Sequence, residues 1–364
     1  MDMSKLVIAR LVAASAIGVL SACGGGGSSQ APPPNTATAN GYTLTVFVQA
    51  PKPTQHPDSI VQMGSSVFIA YQNAGEVKDG SDPTITNAVV QYDLSGNVMK
   101  TYTVPGHCDG LLARGDTTSV WAMSNEDGNP ELTIIDLATS TQKTYQATVN
   151  PPLHGGGYDD MQFINGVVYV TASNPAVPGV APTVVSLNLN PNGTTFDVAP
   201  VLAGNAQALD ITPSIGGSPN PTYQMMVPLS LTDPDSEATD PSGNLVVDSQ
   251  ADGKLVFIQN PGPQQMVSVL SLTLFNDKDG PTVPVDDTRF VPALGPGGTL
   301  FMLFTDAHNI TYRLDGPFKT GDAYSAGQGQ VMQLDLKTGH LDPVAVSIGD
   351  PTALQDPHGI LFVK

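Results

Sequence analysis

Residues 238–258 read Ala238-Thr-Asp-Pro-Ser-Gly-Asn-Leu-Val-Val-Asp248 and then, past a short polar gap, Lys254-Leu-Val-Phe-Ile258. The Asp-Pro-Ser-Gly-Asn segment is a turn with a mechanism. Proline pre-sets φ, glycine accepts positive φ, and the Asp and Asn side chains bond their own backbone. The apolar runs around it are rich in Val, Leu, Ile and Phe and are too short for helices, so they read as paired strands.

The same phrasing extends in both directions. Apolar runs at 67–71, 88–92, 120–123, 132–135, 167–170, 184–187, 300–304 and 331–334 alternate with Gly, Pro, Asn and Asp turns, and a helical period of 3.6 is nearly absent. The chain is all-β. Its phrases share an acidic or His-containing opening: His56-Pro-Asp58-Ser-Ile60, His107-Cys-Asp109-Gly-Leu111, Tyr158-Asp-Asp160-Met-Gln162, Asp235-Ser-Glu237-Ala-Thr239, Val285-Asp-Asp287-Thr-Arg289 and Asp356-Pro-His358-Gly-Ile360. Three of the intervals are about 50 residues and two are about 70–80, which is the spacing of four-stranded propeller blades with insertions in two of them. The spacing predicts inserts at 206–231 and 306–329. It also predicts a β-propeller of six blades, with five to seven open because a single strand's worth of chain follows the sixth opening. The alternating stretch 42–48 is expected to supply a further strand and close the ring, removing exposed sheet edges.

Residues 238–248 with 254–258 resemble one blade of the NHL or SMP-30/gluconolactonase-type superfamily. Asp356-Pro-His-Gly-Ile360 resembles the blade openings of that superfamily and of paraoxonases. In propellers of this type the openings of the innermost strands ring one mouth of the central channel. The resemblance therefore implies a ring of Asp58, Asp109, Asp160, Glu237, Asp287 and His358, with His56 and His107 beside it. Carboxylates converging in a narrow mouth raise one another's pKa unless a cation neutralises them. Hard oxygen ligands favour Ca²⁺ or Mg²⁺, while the histidines keep Zn²⁺ open. Acids at strand starts also satisfy backbone N–H groups in turns, so a structural role stands beside the metal one.

The beginning of the chain carries a different signal. Lys5 and Arg10 precede an apolar stretch from Leu11 to Leu20, followed by Ser21, Ala22 and Cys23. The apolar run falls short of the roughly 20 residues that span a bilayer. Leu20-Ser21-Ala22-Cys23 resembles the lipobox of bacterial lipoproteins, which implies a signal peptide at 1–22 and a Cys23 acylated with palmitate-like chains. Residues 23–40 are a Gly/Ser/Pro-rich tether too poor in apolar residues to fold, and 41–364 form the propeller domain. Gly24 after the cysteine favours the outer membrane over the inner one. The expected location is the cell envelope, on the periplasmic or surface face.

With 33 acidic against 14 basic residues the formal net charge is −19. Such a surface repels phosphate, which argues against nucleic acid and anionic lipid as partners. Of the two cysteines, an acylated Cys23 leaves Cys108 without a disulfide partner in the chain, as a buried structural thiol. Its neighbours His107 and Asp109 make poor catalytic partners, because adjacent strand residues point to opposite faces. Asp233-Pro-Asp235-Ser-Glu237 begins like a calcium loop but lacks the required Gly and closing Glu of an EF-hand. His154-Gly-Gly-Gly157 has no strand-turn-helix context for a phosphate cradle, and Trp121 between apolar neighbours reads as core.

Two functional readings result. One is an anchored propeller that binds a protein or small-molecule partner outside the cytoplasm. The other is a metal-dependent lactonase or esterase-type hydrolase, with His56, His107 or His358 moving protons.

Overall fold

The structure is a computed structural model that describes residues 35–72, 77–274, 282–293, 300–348 and 354–364. The leader at 1–22, Cys23 and the tether up to residue 34 lie outside the described residues.

Six four-stranded antiparallel units can be traced among the described residues. The first is Pro57–Met63, Ser66–Tyr71, Thr86–Asp93 and Val98–Pro105, from the inside outward. The second is Cys108–Arg114, Ser119–Ser124, Glu131–Asp136 and Thr141–Ala147, and the third is Met161–Ile164, Val167–Thr171, Val184–Leu189 and Thr195–Leu202. Pro234–Thr239, Leu245–Ser249, Lys254–Gln259 and Met266–Ser271 make the fourth, which contains the turn and strands of 238–258. The second strand of each sheet is buried on both faces. This is why second strands such as Val67–Tyr71 are apolar without alternation, and why a separate apolar cluster fills each interface between neighbouring units. Trp121 lies in the cluster between the second and third units, as its apolar neighbours predict.

The inner strands form a closed cycle. Leu111 N donates to Ser59 Oγ at 3.0 Å, Glu237 N to Asp160 Oδ2 at 3.0 Å, and Arg289 Nη1 to the Glu237 carbonyl at 2.5 Å. Ile360 N donates to Asp287 Oδ2 at 2.7 Å, and the ring closes where Thr305 Oγ1, on the second strand of the sixth unit, donates to the Asp58 carbonyl at 2.5 Å. Between the second and third units the contact is closer still. A Cβ on Gly110 would stand 2.3 Å from the Asp159 carbonyl oxygen, so only glycine lets these backbones approach. The molecule is a β-propeller.

Its closure is shared between the ends of the chain. The sixth unit takes its inner strand from Pro357–Val363, its middle strands from Phe301–Asp306 and Ile310–Asp315, and its outer strand from Thr43–Gln49. The strand expected at 42–48 is therefore the outer strand of this sheet. Segment 306–329 is not an insert. After Asp287–Phe290 the chain leaves the fifth unit and lays down the two middle strands of the sixth. It then returns for Ala323–Gly327, Gln330–Asp335 and His340–Ser347. A period counted along the sequence cannot show this exchange, because both units use strands of the same length and apolar pattern.

The insert at 206–231 does stand outside a four-stranded sheet. Gln207–Asp210 and Met226–Pro228 extend the fourth unit, and Ser214–Ile215 with Ser218–Pro219 form a separate small hairpin. The tether boundary at residue 40 also moves, since Thr36–Thr38 pairs with the outer strand of the fifth unit, Thr36 opposite Ser347. Three consecutive Thr/Ala residues can join a waiting sheet edge through main-chain bonds alone.

Candidate metal centre

Strand register defines which opening residues are equivalent. Ile60, Leu111, Met161, Glu237, Thr288 and Ile360 pair with Ile69, Ala122, Val170, Val247, Ser325 and Phe304 at matching heights on their second strands. Two residues earlier in each unit stand Asp58, Asp109, Asp159, Asp235, Asp286 and His358. These six side chains line one cavity of about 260 Å³ at the channel mouth, together with Glu126, Lys78, Asp160, Asp287, Arg289 and Asp356.

Five of the six residues expected from the sequence thus border the cavity: Asp58, Asp109, Asp160, Asp287 and His358. Glu237 does not. It occupies the position held by Ile60 and Leu111 in other units, fully buried below the mouth with neither carboxylate oxygen hydrogen-bonded. Burial, with Asp160 nearby, pushes its pKa well above the usual range. The openings in the third, fourth and fifth units stand one or two residues away from the expected positions, because Asp-Asp and Asp-Ser-Glu each offer two acids and only strand register says which one is equivalent. His56 sits in the turn before the first inner strand, where its N–H donates to Asn309 Oδ1, and it does not border the cavity.

Asp160 and Asp287 form the floor. Arg289 Nη2 lies 3.1 Å from Asp160 Oδ2 and Nη1 lies 2.6 Å from Asp287 Oδ1. Burial raises the Asp287 pKa to about 7 even though Arg289 opposes the shift. At the wall, His358 Nδ1 is 2.8 Å from Asp286 Oδ1 and 3.5 Å from Asp58 Oδ1, and its Nε2 is 3.5 Å from Asp356 Oδ2. Burial works against its charge, yet these carboxylates hold the imidazolium well above its ordinary pKa. Burial raises Asp58 to about 8, with His358 opposing and Asp286 adding to the rise.

The remaining carboxylates converge. One oxygen each from Glu126, Asp159 and Asp235 lie within 4.8 Å of one another, and so do ligand atoms of His107, Asp109 and Glu126. Burial, followed by neighbouring carboxylates, drives the pKa values of Asp159 and Asp235 well up. Asp109 is raised in the same way, and its Oδ2 is buried without a partner. Lys78 Nζ contacts Glu126 Oε1 and, among the described residues, is the one ammonium lining the cavity. Buried acids gathered with little countercharge are a donor set for a cation. Glu126, on the turn after Ser119–Ser124, was not marked by any opening motif; its signal is only that it follows the second strand of a unit.

Cys108 is fully buried, and burial raises its thiol pKa well above the ordinary value, so it is an inert core residue. His154 is buried with Nε2 at 2.6 Å from the Gly157 carbonyl, a loop brace.

No model of a known protein family matches the chain, and no curated protein sequence matches it. Solved structures with a similar trace include virginiamycin B lyase from Staphylococcus aureus, 12% identical over 88% of this chain and 96% of that one, TM-score 0.47. A gluconolactonase-like protein is 12% identical over 86% of this chain and 83% of that one, TM-score 0.44. A 6-phosphogluconolactonase-like protein from Bacteroides uniformis is 11% identical over 82% and 85%, TM-score 0.43.

Proposed function

We propose that the chain is an envelope lipoprotein, held by lipid on Cys23, whose propeller mouth binds a divalent cation of the Ca²⁺ type and, through it, a small oxygen-bearing ligand. The observation that carries the reading is the convergence of Glu126, Asp159 and Asp235, three carboxylates from two blades and a loop, in one cavity. An all-oxygen donor set of this charge fits Ca²⁺ or Mg²⁺. The cavity of about 260 Å³ is below the roughly 300–1,000 Å³ of drug-sized sites, so the ligand is small. An acidic rim excludes phosphate-rich partners.

A second reading, hydrolysis of a lactone or ester, is favoured by one observation. His358, held between Asp286 and Asp58, faces the same cavity as the metal-binding carboxylates. A bound cation would polarise a carbonyl oxygen, and His358 would hold or deliver a proton beside it.

Calorimetric titration of the full chain in detergent with Ca²⁺ tests the first reading. Saturable binding in the wild type, lost in Asp159→Asn and Asp235→Asn, is expected. No heat and no bound metal on elemental analysis would refute it. A lactone and aryl-ester panel with Ca²⁺ then separates the two. Turnover that vanishes in His358→Gln supports the hydrolase, and turnover absent throughout leaves the binding role.

A further inference from the structure

The second convergent group differs in chemistry from the first. His107 is 1% exposed, and neither ring nitrogen makes a hydrogen bond. Its Nε2 nevertheless stands 3.2 Å from Asp109 Oδ1, so the two groups lie side by side and do not face each other as donor and acceptor. Metal–ligand bonds of about 2.0–2.1 Å in tetrahedral array put neighbouring ligand atoms about 3.3 Å apart. The observed separation matches that spacing. Asp109 Oδ2 is also buried and unpartnered, and a Glu126 oxygen completes the group.

The backbone holds these groups in place before any ion arrives. Asn125 Oδ1 accepts from His107 N at 2.9 Å, and Asn125 N donates to the His107 carbonyl at 2.7 Å. One residue therefore clamps the segment carrying His107 and Asp109 to the segment carrying Glu126. Gly106 makes room for the clamp, since a Cβ there would meet the Asn125 amide at 2.4 Å. Gln72 Nε2 donates to Asp109 Oδ1 at 3.1 Å and orients that carboxylate from behind, the arrangement that tunes metal ligands.

We infer that His107, Asp109 and Glu126 form a second metal position, selective for a borderline cation such as Zn²⁺ or Co²⁺ and joined to the all-oxygen position through the shared Glu126 carboxylate. Imidazole suits these metals, whereas Ca²⁺ prefers oxygen alone. Three protein ligands leave a coordination position open, and Asp109 and Glu126 both border the cavity, so that position faces the mouth. Lys78, whose ammonium contacts Glu126, is 43% exposed and can withdraw to solvent as the cations take over its countercharge. The mouth then holds two unlike metals about a common carboxylate.

Co²⁺ is the visible probe. Full-length wild-type protein titrated with Co²⁺ should develop d–d absorption at one equivalent, bleached by Zn²⁺ and unaffected by Ca²⁺. His107→Gln should weaken Co²⁺ at least about 100-fold, since groups merely behind a ligand already cost about 10–100-fold. It should keep Ca²⁺ binding, while Asp235→Asn should lose Ca²⁺ and keep Co²⁺. If His107→Gln fails to fold, the ¹⁵N shift of the His107 ring in wild-type protein reads ligation directly on Zn²⁺ addition. Stoichiometric Co²⁺ binding untouched by His107→Gln, or an unshifted His107 ring at saturating Zn²⁺, overturns the inference. His107-dependent Co²⁺ binding without any Ca²⁺ binding would instead remove the proposed all-oxygen site and leave this one standing.

Discussion

Replacing Arg289 by Met tests whether the floor of the mouth is an ion-pair keystone. The guanidinium is within 3.1 Å of Asp160 and 2.6 Å of Asp287, which are 4% and 1% exposed. Methionine keeps much of the stem's packing and removes the charge, leaving two buried carboxylates without their cation. Breaking a buried pair from one side costs about 3–5 kcal/mol. For roughly 300 folded residues an unfolding entropy of about 2.1 cal/mol/K per residue gives about 0.6 kcal/mol/K, so the unfolding midpoint should fall by about 5–8 °C. Sign fixes the pH dependence. Burial already raises both carboxyl pKa values, and losing Arg289 raises them further. Acids with raised folded pKa bind more protons folded than unfolded, so stability drops as pH rises through that range. The deficit should grow as pH rises through about 7 and shrink toward pH 5.5, where Asp287 is protonated with or without Arg289. Adding Asp160→Asn to Arg289→Met should restore part of it. Circular dichroism melts across pH measure all of this. A midpoint within 1 °C of wild type at pH 8, or an equal deficit at both pH values, would refute the reasoning.

The cation-free protein should lose stability from pH 5 to 8, because Asp109, Asp159 and Asp235 all have raised pKa values. Ca²⁺ at 100 times its dissociation constant should add about 2.7 kcal/mol at pH 8, or about 4 °C by the same conversion, and less at pH 5 where protons compete. A midpoint independent of both pH and Ca²⁺ would contradict the acidic mouth. Gly110→Ala forces a Cβ to 2.3 Å from the Asp159 carbonyl and should cost about 1–3 kcal/mol while weakening Ca²⁺. Gly115→Ala, with nothing within 4 Å, should stay within about 0.5 kcal/mol, and equal melts for the two would count against the close strand contact. Protein taken from membranes should show no thiol to an aromatic disulfide reagent when native and one, Cys108, in denaturant. One native and two denatured thiols would disprove acylation of Cys23.

Turn chemistry at Asp240–Asn244 was legible because it is local: Asp240 Oδ1 accepts from Ser242 N and Asn244 N, as the residue types require. The apolar runs were legible because strands buried on both faces leave no polar alternation. The ring of opening acids was half legible. Asp58 and Asp109 are the lone acids of their phrases and His358 the lone His of its own, whereas Asp159, Asp235 and Asp286 each neighbour a second acid in theirs, and the sequence carries no register.

The sequence by itself determined an all-β chain of propeller blades with acids at the start of each inner strand, since strand period, turn residues and their repeat are properties of neighbours along the chain. Only the tertiary structure decided that the fifth and sixth units exchange strands and that a bulge turns Asp235 to the channel and Glu237 to the interior. It also brought Glu126 from a loop to the openings of other strands. Those outcomes depend on which edges lie side by side in space and how their hydrogen bonds step, and chain position does not encode either.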